Sequence, residues 1–167
     1  MGSKIISIIG GSDSNQEILK LAESVGEEIA RRGLALVCGG LGGVMEAACR
    51  GAKKHGGVTI GILPTEDKKT ANQFVDIAIP TGLGYARNFL VAKSGDAVIA
   101  IDGSAGTLSE MAIAWFSDRV IVAMSNSGGW SEKLAGIQID SRRSDKVHAA
   151  KSPEEALDII YRELEWE

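Results

Sequence analysis

Three times in this chain a short, mainly apolar run leads into glycines and on into a helix signal. Lys4 to Ile9 leads into Gly10-Gly11-Ser12-Asp13-Ser14. Leu34 to Cys38 leads into Gly39-Gly40-Leu41-Gly42-Gly43, and Asp96 to Ile101 into Asp102-Gly103-Ser104-Ala105-Gly106-Thr107. Apolar runs without polar alternation belong to strands covered on both faces. Strands that alternate with helices build a parallel sheet. The expected fold is α/β, a doubly wound parallel sheet of about seven strands with helices on both faces. Ligands of such sheets sit outside the carboxyl ends of the strands, so all three glycine loops are expected at one sheet edge.

The remaining signals fill in this plan. Helices are expected over Asn15 to Arg32 (with Ser14 as cap and Glu17 completing a capping box), Val44 to His55, Arg87 to Ser94 and Leu108 to Ser117. Ser152-Pro153-Glu154-Glu155 opens a C-terminal helix, with proline at its first position. Further strands are expected at Val58 to Leu63, Val75 to Ile79 and Val120 to Met124, with short final ones at Ile137 to Ile139 and Lys146 to His148. The polar loop Pro64 to Phe74 is a candidate rim or lid.

With 167 residues the chain is expected to form one domain, residues 1–167, large enough to bury a core without staples. A net charge of −4 argues against a nucleic-acid partner, which needs a basic stripe. Cys38 and Cys49 lack CxxC spacing and the only histidines are His55 and His148, so no metal site and no disulfide framework are expected. No leader or membrane-spanning run is visible, and a reducing, cytoplasmic setting with no membrane partner is the simplest expectation. Glycine stands out: 21 residues, against roughly 12 from average usage.

Glycines at a strand-to-helix turn let backbone N–H groups approach an anion. Gly10, Gly11 and Ser12, then Gly39, Gly40, Gly42 and Gly43 with Glu46, and Gly103, Ser104, Ala105, Gly106 and Thr107 are therefore the candidate ligand- and phosphate-binding residues. Gly40 and Gly42 begin a GxGxxG pattern, but its third glycine position holds Met45, and no P-loop occurs. Each loop also has a plain reading as a tight turn. Asp102 to Gly106 nearly matches the hydrolase elbow GxSxG, which would make Ser104 a nucleophile served by His148, although the first glycine is missing. Arg87 suits a phosphate or sugar edge, or else a surface ion pair. Glu110 either completes a capping box from Thr107 or faces a ligand.

Taken in order, Gly39-Gly-Leu-Gly-Gly-Val-Met-Glu46, Ala86-Arg87 and Gly103-Ser-Ala-Gly-Thr-Leu-Ser-Glu110 resemble the Rossmann-like superfamily of LONELY GUY proteins. That superfamily also carries the label "possible lysine decarboxylase" and includes cytokinin-activating nucleoside 5′-monophosphate phosphoribohydrolases. The signature PGGxGTxxE aligns with Asp102 to Glu110, with Asp102 in place of proline and Ser104 in place of glycine. The arginine of MHxRK aligns with Arg87, but Asn88 follows it. The Thr81-Gly-Leu-Gly-x-Ala-Arg87 segment looks closest to the molybdenum cofactor carrier subgroup. The resemblance implies a Rossmann-like, nucleotide-binding fold and a phosphorylated small-molecule ligand, either molybdenum cofactor or a nucleotide, with no cofactor required. It further implies a homodimer or homotetramer, with Arg87 and Glu110 as the catalytic pair if the protein is an enzyme. Three roles stay open: carrier of a phosphorylated nucleotide-like molecule, nucleotide sensor, and N-glycosidic phosphoribohydrolase. No lysine stands in a context that marks a pyridoxal phosphate Schiff base, so the decarboxylase label is set aside. The run Met111-Ala-Ile-Ala-Trp-Phe116 is apolar on every side and is expected to meet a second subunit.

Overall fold

The computed structural model describes residues 2–167. Seven strands form one sheet: β1 (Ile5–Gly10), β2 (Ala35–Cys38), β3 (Thr59–Leu63), β4 (Ile77–Pro80), β5 (Ala97–Ile101), β6 (Val120–Met124) and β7 (His148–Ala150). The helices are α1 (Gln16–Arg31), α2 (Val44–Lys54), α3 (Arg87–Ser94), α4 (Ala105–Phe116), α5 (Gly129–Leu134) and α6 (Pro153–Glu163). The strand order is β4-β3-β2-β1-β5-β6-β7, and every pairing is parallel. The chain winds outward from β1 to β4, returns to β1's other side as β5, and winds outward again. The order therefore switches between β1 and β5, and the loops after β1, β2 and β5 share the carboxyl edge, as the sequence predicts.

The two sheet faces carry separate cores. Ile6 and Ile8 of β1 face one way, where α1, α2 and α6 supply Val25, Ile29, Ala48, Cys49 and Leu157. Ile9 faces the other way, where α3 and α4 supply Val91, Met111 and Trp115. The period-two alternation of a strand makes this division. Between α1 and α2 no side chain fits: a Cβ on Gly26 would lie 1.9 Å from the Ala48 carbonyl oxygen, and one on Gly51 1.9 Å from that of Glu23. On the other face the buried Ser7 hydroxyl donates to the Val91 carbonyl at 2.6 Å and accepts from Gly95 N–H at 2.9 Å. That pair of bonds ties the end of α3, which starts at Arg87, to β1.

The structure corrects three sequence expectations. The cap of α1 is Asn15, whose side chain accepts from Ile18 N–H; Ser14 instead donates to the Asp102 carboxylate at 2.6 Å, a partner 88 residues away that no local pattern reveals. Ile137 to Ile139 is not a strand, since its only pairing is Val147 N–H to the Ile137 carbonyl beside Gly136 N–H to the Val147 carbonyl. The last strand is His148–Ala150 rather than Lys146 to His148. α5 starts at Gly129, behind Gly128 (φ 56° and 78°), in a stretch for which no element was expected; a Cβ on Gly129 would lie 2.5 Å from the Gly103 carbonyl oxygen. Among the described residues no helix is long and apolar enough to cross a membrane, and no group of three or more His, Cys, Asp or Glu side chains is placed to hold a metal.

Candidate functional site

The three glycine loops interlock before they can bind anything. A Cβ on Gly10 would sit 2.3 Å from the Ile101 carbonyl oxygen, so β1 approaches β5 this closely at the switch point only because Gly10 has no side chain. Gly43 (φ 66°) caps α2 and packs on the Gly11 carbonyl, which also accepts from Val44 N–H at 2.9 Å. Asp102 adopts φ 56°, a left-handed conformation that costs a non-glycine residue about 1 kcal/mol or more. Its neighbours hold it there: its N–H donates to Ser127 Oγ at 2.8 Å and its carbonyl accepts from Ser131 Oγ at 2.6 Å. A proline ring keeps φ near −65°, so the signature's proline is incompatible with the path this loop takes. Asn72 braces the second loop from behind, donating through its side chain to the Leu41 carbonyl at 2.9 Å and through its backbone to that of Gly40 at 2.9 Å. The Pro64 to Phe74 loop is thus a brace, and none of its residues borders the cleft.

Above these loops lies a cleft of 970 Å³. One wall is the first turn of α4. The first α4 amide to find a backbone acceptor is Leu108, bonded to the Ser104 carbonyl at 3.0 Å, and Ser104 makes no side-chain cap. The N–H groups of Ala105, Gly106 and Thr107 are therefore free at the positive end of a twelve-residue helix, the arrangement that receives anions.

The opposite wall carries Arg87, at the first position of α3. Its guanidinium lies where Gly39 lacks a side chain; a Cβ there would be 2.5 Å from Nη1 and 2.6 Å from Nη2. Gly39 is thus spent on making room for Arg87. Arg87 is 8% exposed, and its buried Nε has no hydrogen-bond partner. Glu110 is 7% exposed and sits in the second turn of α4. A capping box needs this carboxylate to reach a backbone N–H at the helix start, and it makes no such bond. The capping-box reading is thereby removed: α4 begins at Ala105, three residues before the Leu108 start that the sequence predicts. Arg87 and Glu110 are absent from the ion pairs of the described residues, whose N···O separations extend to 4.0 Å. Burial pushes the Glu110 carboxyl up to about 8, against a weaker downward pull from Arg87. At neutral pH Glu110 is mostly a neutral acid able to donate a hydrogen bond. Burial also lowers Arg87, with Glu110 and then Cys38 pulling the other way.

Among the residues singled out in the sequence, Gly10, Ser12, Gly39, Arg87, Ser104, Ala105, Gly106, Thr107 and Glu110 border the cleft together. Gly11, Gly40, Gly43 and Gly103 do not; they form the packed floor, with Gly40 (φ 75°) against Gly61 and Gly103 (φ 105°) against Thr107. Gly42 and Glu46 lie off the cleft, and a Cβ on Gly42 would be 4.0 Å from the Glu46 carboxylate. Leu41, Met45, Tyr85, Asn88, Phe89, Ser109 and Ile113 line the cleft without having been singled out as ligand contacts. A helical signal was available for two of them, since Gly106, Ser109, Glu110 and Ile113 share one face at i, i+3, i+4, i+7 spacing. The nucleophile reading of Ser104 fails on geometry: β6 separates β5 from β7, which carries His148, and His148 Nε2 is buried without a hydrogen-bond partner. Trp115 is core, its indole donating to Asp140 at 2.8 Å under the Arg143 guanidinium at 4.4 Å. Cys38 and Cys49 are buried free thiols with sulfurs 3.6 Å apart.

A parallel sheet with an arginine on one wall of its switch-point cleft and a glutamate on the other defines the class as LONELY GUY-like and Rossmann-like. The chain belongs to the SLOG cluster4 family, whose model matches residues 3–157. It is 32% identical over 157 residues to the cytokinin riboside 5′-monophosphate phosphoribohydrolase of Mycobacterium marinum, covering 88% of this chain and 82% of that one. Its fold matches the molybdenum cofactor binding protein of Rippkaea orientalis with a TM-score of 0.88 and 38% identity, covering 98% and 99% of the two chains. The molybdenum cofactor carrier protein of Chlamydomonas reinhardtii matches with a TM-score of 0.85 and 34% identity over 98% and 99% of the two chains.

Proposed function

We propose that this cleft binds a phosphorylated, nucleotide-like small molecule, molybdenum cofactor or a nucleotide, and that the protein acts as its carrier or sensor. The phosphate rests on the free N–H groups of Ala105, Gly106 and Thr107, and the sugar or ring lies between Arg87 and Glu110. One observation carries the reading: the N–H groups of Ala105, Gly106 and Thr107 are free at the start of α4, in the same cleft that Arg87 lines. The molybdenum cofactor proteins that share this fold almost end to end support carriage, and the largely neutral Glu110 supports binding over hydrolysis. A carboxyl that stabilises an oxocarbenium-like ribose must be ionised, and this one ionises only near pH 8.

The second reading, a nucleoside 5′-monophosphate phosphoribohydrolase, is favoured by the pairing of Arg87 and Glu110 in one cleft and by the mycobacterial relative. Incubation with a panel of nucleoside 5′-monophosphates separates the two. A carrier or sensor releases no free base, and Arg87→Ala weakens ligand binding by about tenfold or more. A hydrolase releases base and ribose 5-phosphate at a rate that climbs through pH 8 and collapses in Glu110→Gln. Mass spectrometry of whatever co-purifies with the native protein identifies the ligand under either reading.

A further inference from the structure

Two buried groups of opposite potential charge on facing walls ordinarily close into an ion pair, because a lone buried charge is costly. Arg87 and Glu110 stay apart, and a chain of hydrogen bonds accounts for it. Arg87 Nη1 donates to Asn88 Oδ1 at 2.9 Å. Asn88 Nδ2 donates to Ser109 Oγ at 3.2 Å, and Ser109 Oγ donates to the Gly106 carbonyl at 2.6 Å. The polarity of this chain is forced at both ends, since a guanidinium only donates and a carbonyl only accepts. Asn88 therefore has one amide orientation that satisfies both neighbours; the flipped amide would point NH₂ at the guanidinium. Asn88 is 8% exposed, too buried for water to replace either bond freely. The chain crosses from α3 to α4 and ends in the turn whose N–H groups are free.

We propose that Asn88 and Ser109 are positioning residues that hold the Arg87 guanidinium beneath Gly39 and off Glu110, keeping both groups separately available to one ligand. The role of the two residues in binding rests on the cleft being a ligand site; their effect on the Arg87–Glu110 separation does not. Without the chain, Nη1 loses its acceptor, Glu110 is the acceptor on the facing wall, and the pair closes. Closure favours the carboxylate, so Glu110 then titrates lower. The charged or titratable groups that bear on Glu110 are Arg87 from α3 and the Cys38 thiol from β2, and both residues are retained in the substitutions below.

The test follows the Glu110 carboxyl by carbon-13 NMR in the full chain labelled at glutamate, with Glu110→Gln identifying its signal. Asn88→Ala and Ser109→Ala each move its midpoint down by about one pH unit or more, while Ser109→Thr, which keeps the hydroxyl, leaves it at the wild-type value. Should Asn88→Ala fail to fold, the contrast between the alanine and threonine variants at Ser109 decides alone. An unchanged midpoint in Ser109→Ala, or an equal fall in Ser109→Thr, overturns the proposal. Calorimetry with adenosine 5′-monophosphate gives the separate readout, an affinity about tenfold lower in Ser109→Ala than in wild type. Wild-type protein that ignores nucleotides counts against the nucleotide as ligand, while the titration still decides whether Asn88 and Ser109 position Arg87.

Discussion

Replacing Glu110 by glutamine tests the electrostatics of the cleft without any ligand. The carboxyl titrates near its ordinary 4.5 when unfolded and at about 8 when folded. Between those values the native state holds a proton that the unfolded state has lost, so stability falls as pH rises across that window. Below pH 4.5 the group is neutral in both states; above about 8 it is charged in both and the loss is complete. At 1.36 kcal/mol per unit the ceiling is about 5 kcal/mol. Relaxation and water entry reduce such burial penalties, and about 2–3 kcal/mol is the expected loss. Glutamine does not titrate, so the variant skips this decline. Urea unfolding at pH 5 and pH 9 measures it: the variant gains on wild type by roughly 1–2 M in midpoint over that interval, for a slope of about 1–3 kcal/mol/M. Parallel pH profiles for the two proteins would show that Glu110 is not desolvated in the folded chain.

Gly39→Ala drives a methyl group into the guanidinium of Arg87, and overpacking of this kind costs about 1–3 kcal/mol. Thermal melting reads that loss, and ligand affinity falls with it; a variant that binds as wild type would place Arg87 outside the site. A Cβ on Gly106 would meet nothing closer than Asn88 Nδ2 at 3.9 Å, so in Gly106→Val the fold is expected to survive while the side chain covers the free N–H groups and binding is lost. Nucleotide or sulfate binding retained in that variant would move the anion site elsewhere. Self-association is predicted too, from a changed observation: Ile113 faces the cleft and Trp115 the core, but Leu83, Tyr85, Phe89, Leu90 and Phe116 stay exposed around α3 and α4, Tyr85 by 93%. Light scattering at micromolar concentration then gives a multiple of 17.5 kDa, and a monomer mass would remove the expected dimer or tetramer.

Local chemistry was enough to write down most of the sheet. A run such as Val120 to Met124, short and rich in β-branched residues, reads as a strand buried on both faces, and Arg87 to Ser94 starts and stops as its sequence indicates. Alternation of strand and helix then implied one parallel sheet, and with it a single edge for the glycine loops. What the chain's order of residues left open was the meaning of residues that have two uses at one spacing. Thr107 and Glu110 fit a capping box or a cleft wall equally well, and the choice depends on where α4 begins. That start is set by Gly103 at φ 105°, by Asp102 held in the left-handed region, and by Ser127 and Ser131 reaching over from beyond β6. Ser14 likewise reads as a cap until Asp102 arrives beside it. Gly39 and Arg87 belong to different elements, and only the approach of α3 to the end of β2 shows that one is missing a side chain because the other needs the space. Periodicity and turn chemistry act over a few residues and are carried by the sequence itself. Burial, and therefore the protonation of Glu110 and the isolation of Arg87, depends on which distant segments exclude water, and only the packed tertiary structure determines that.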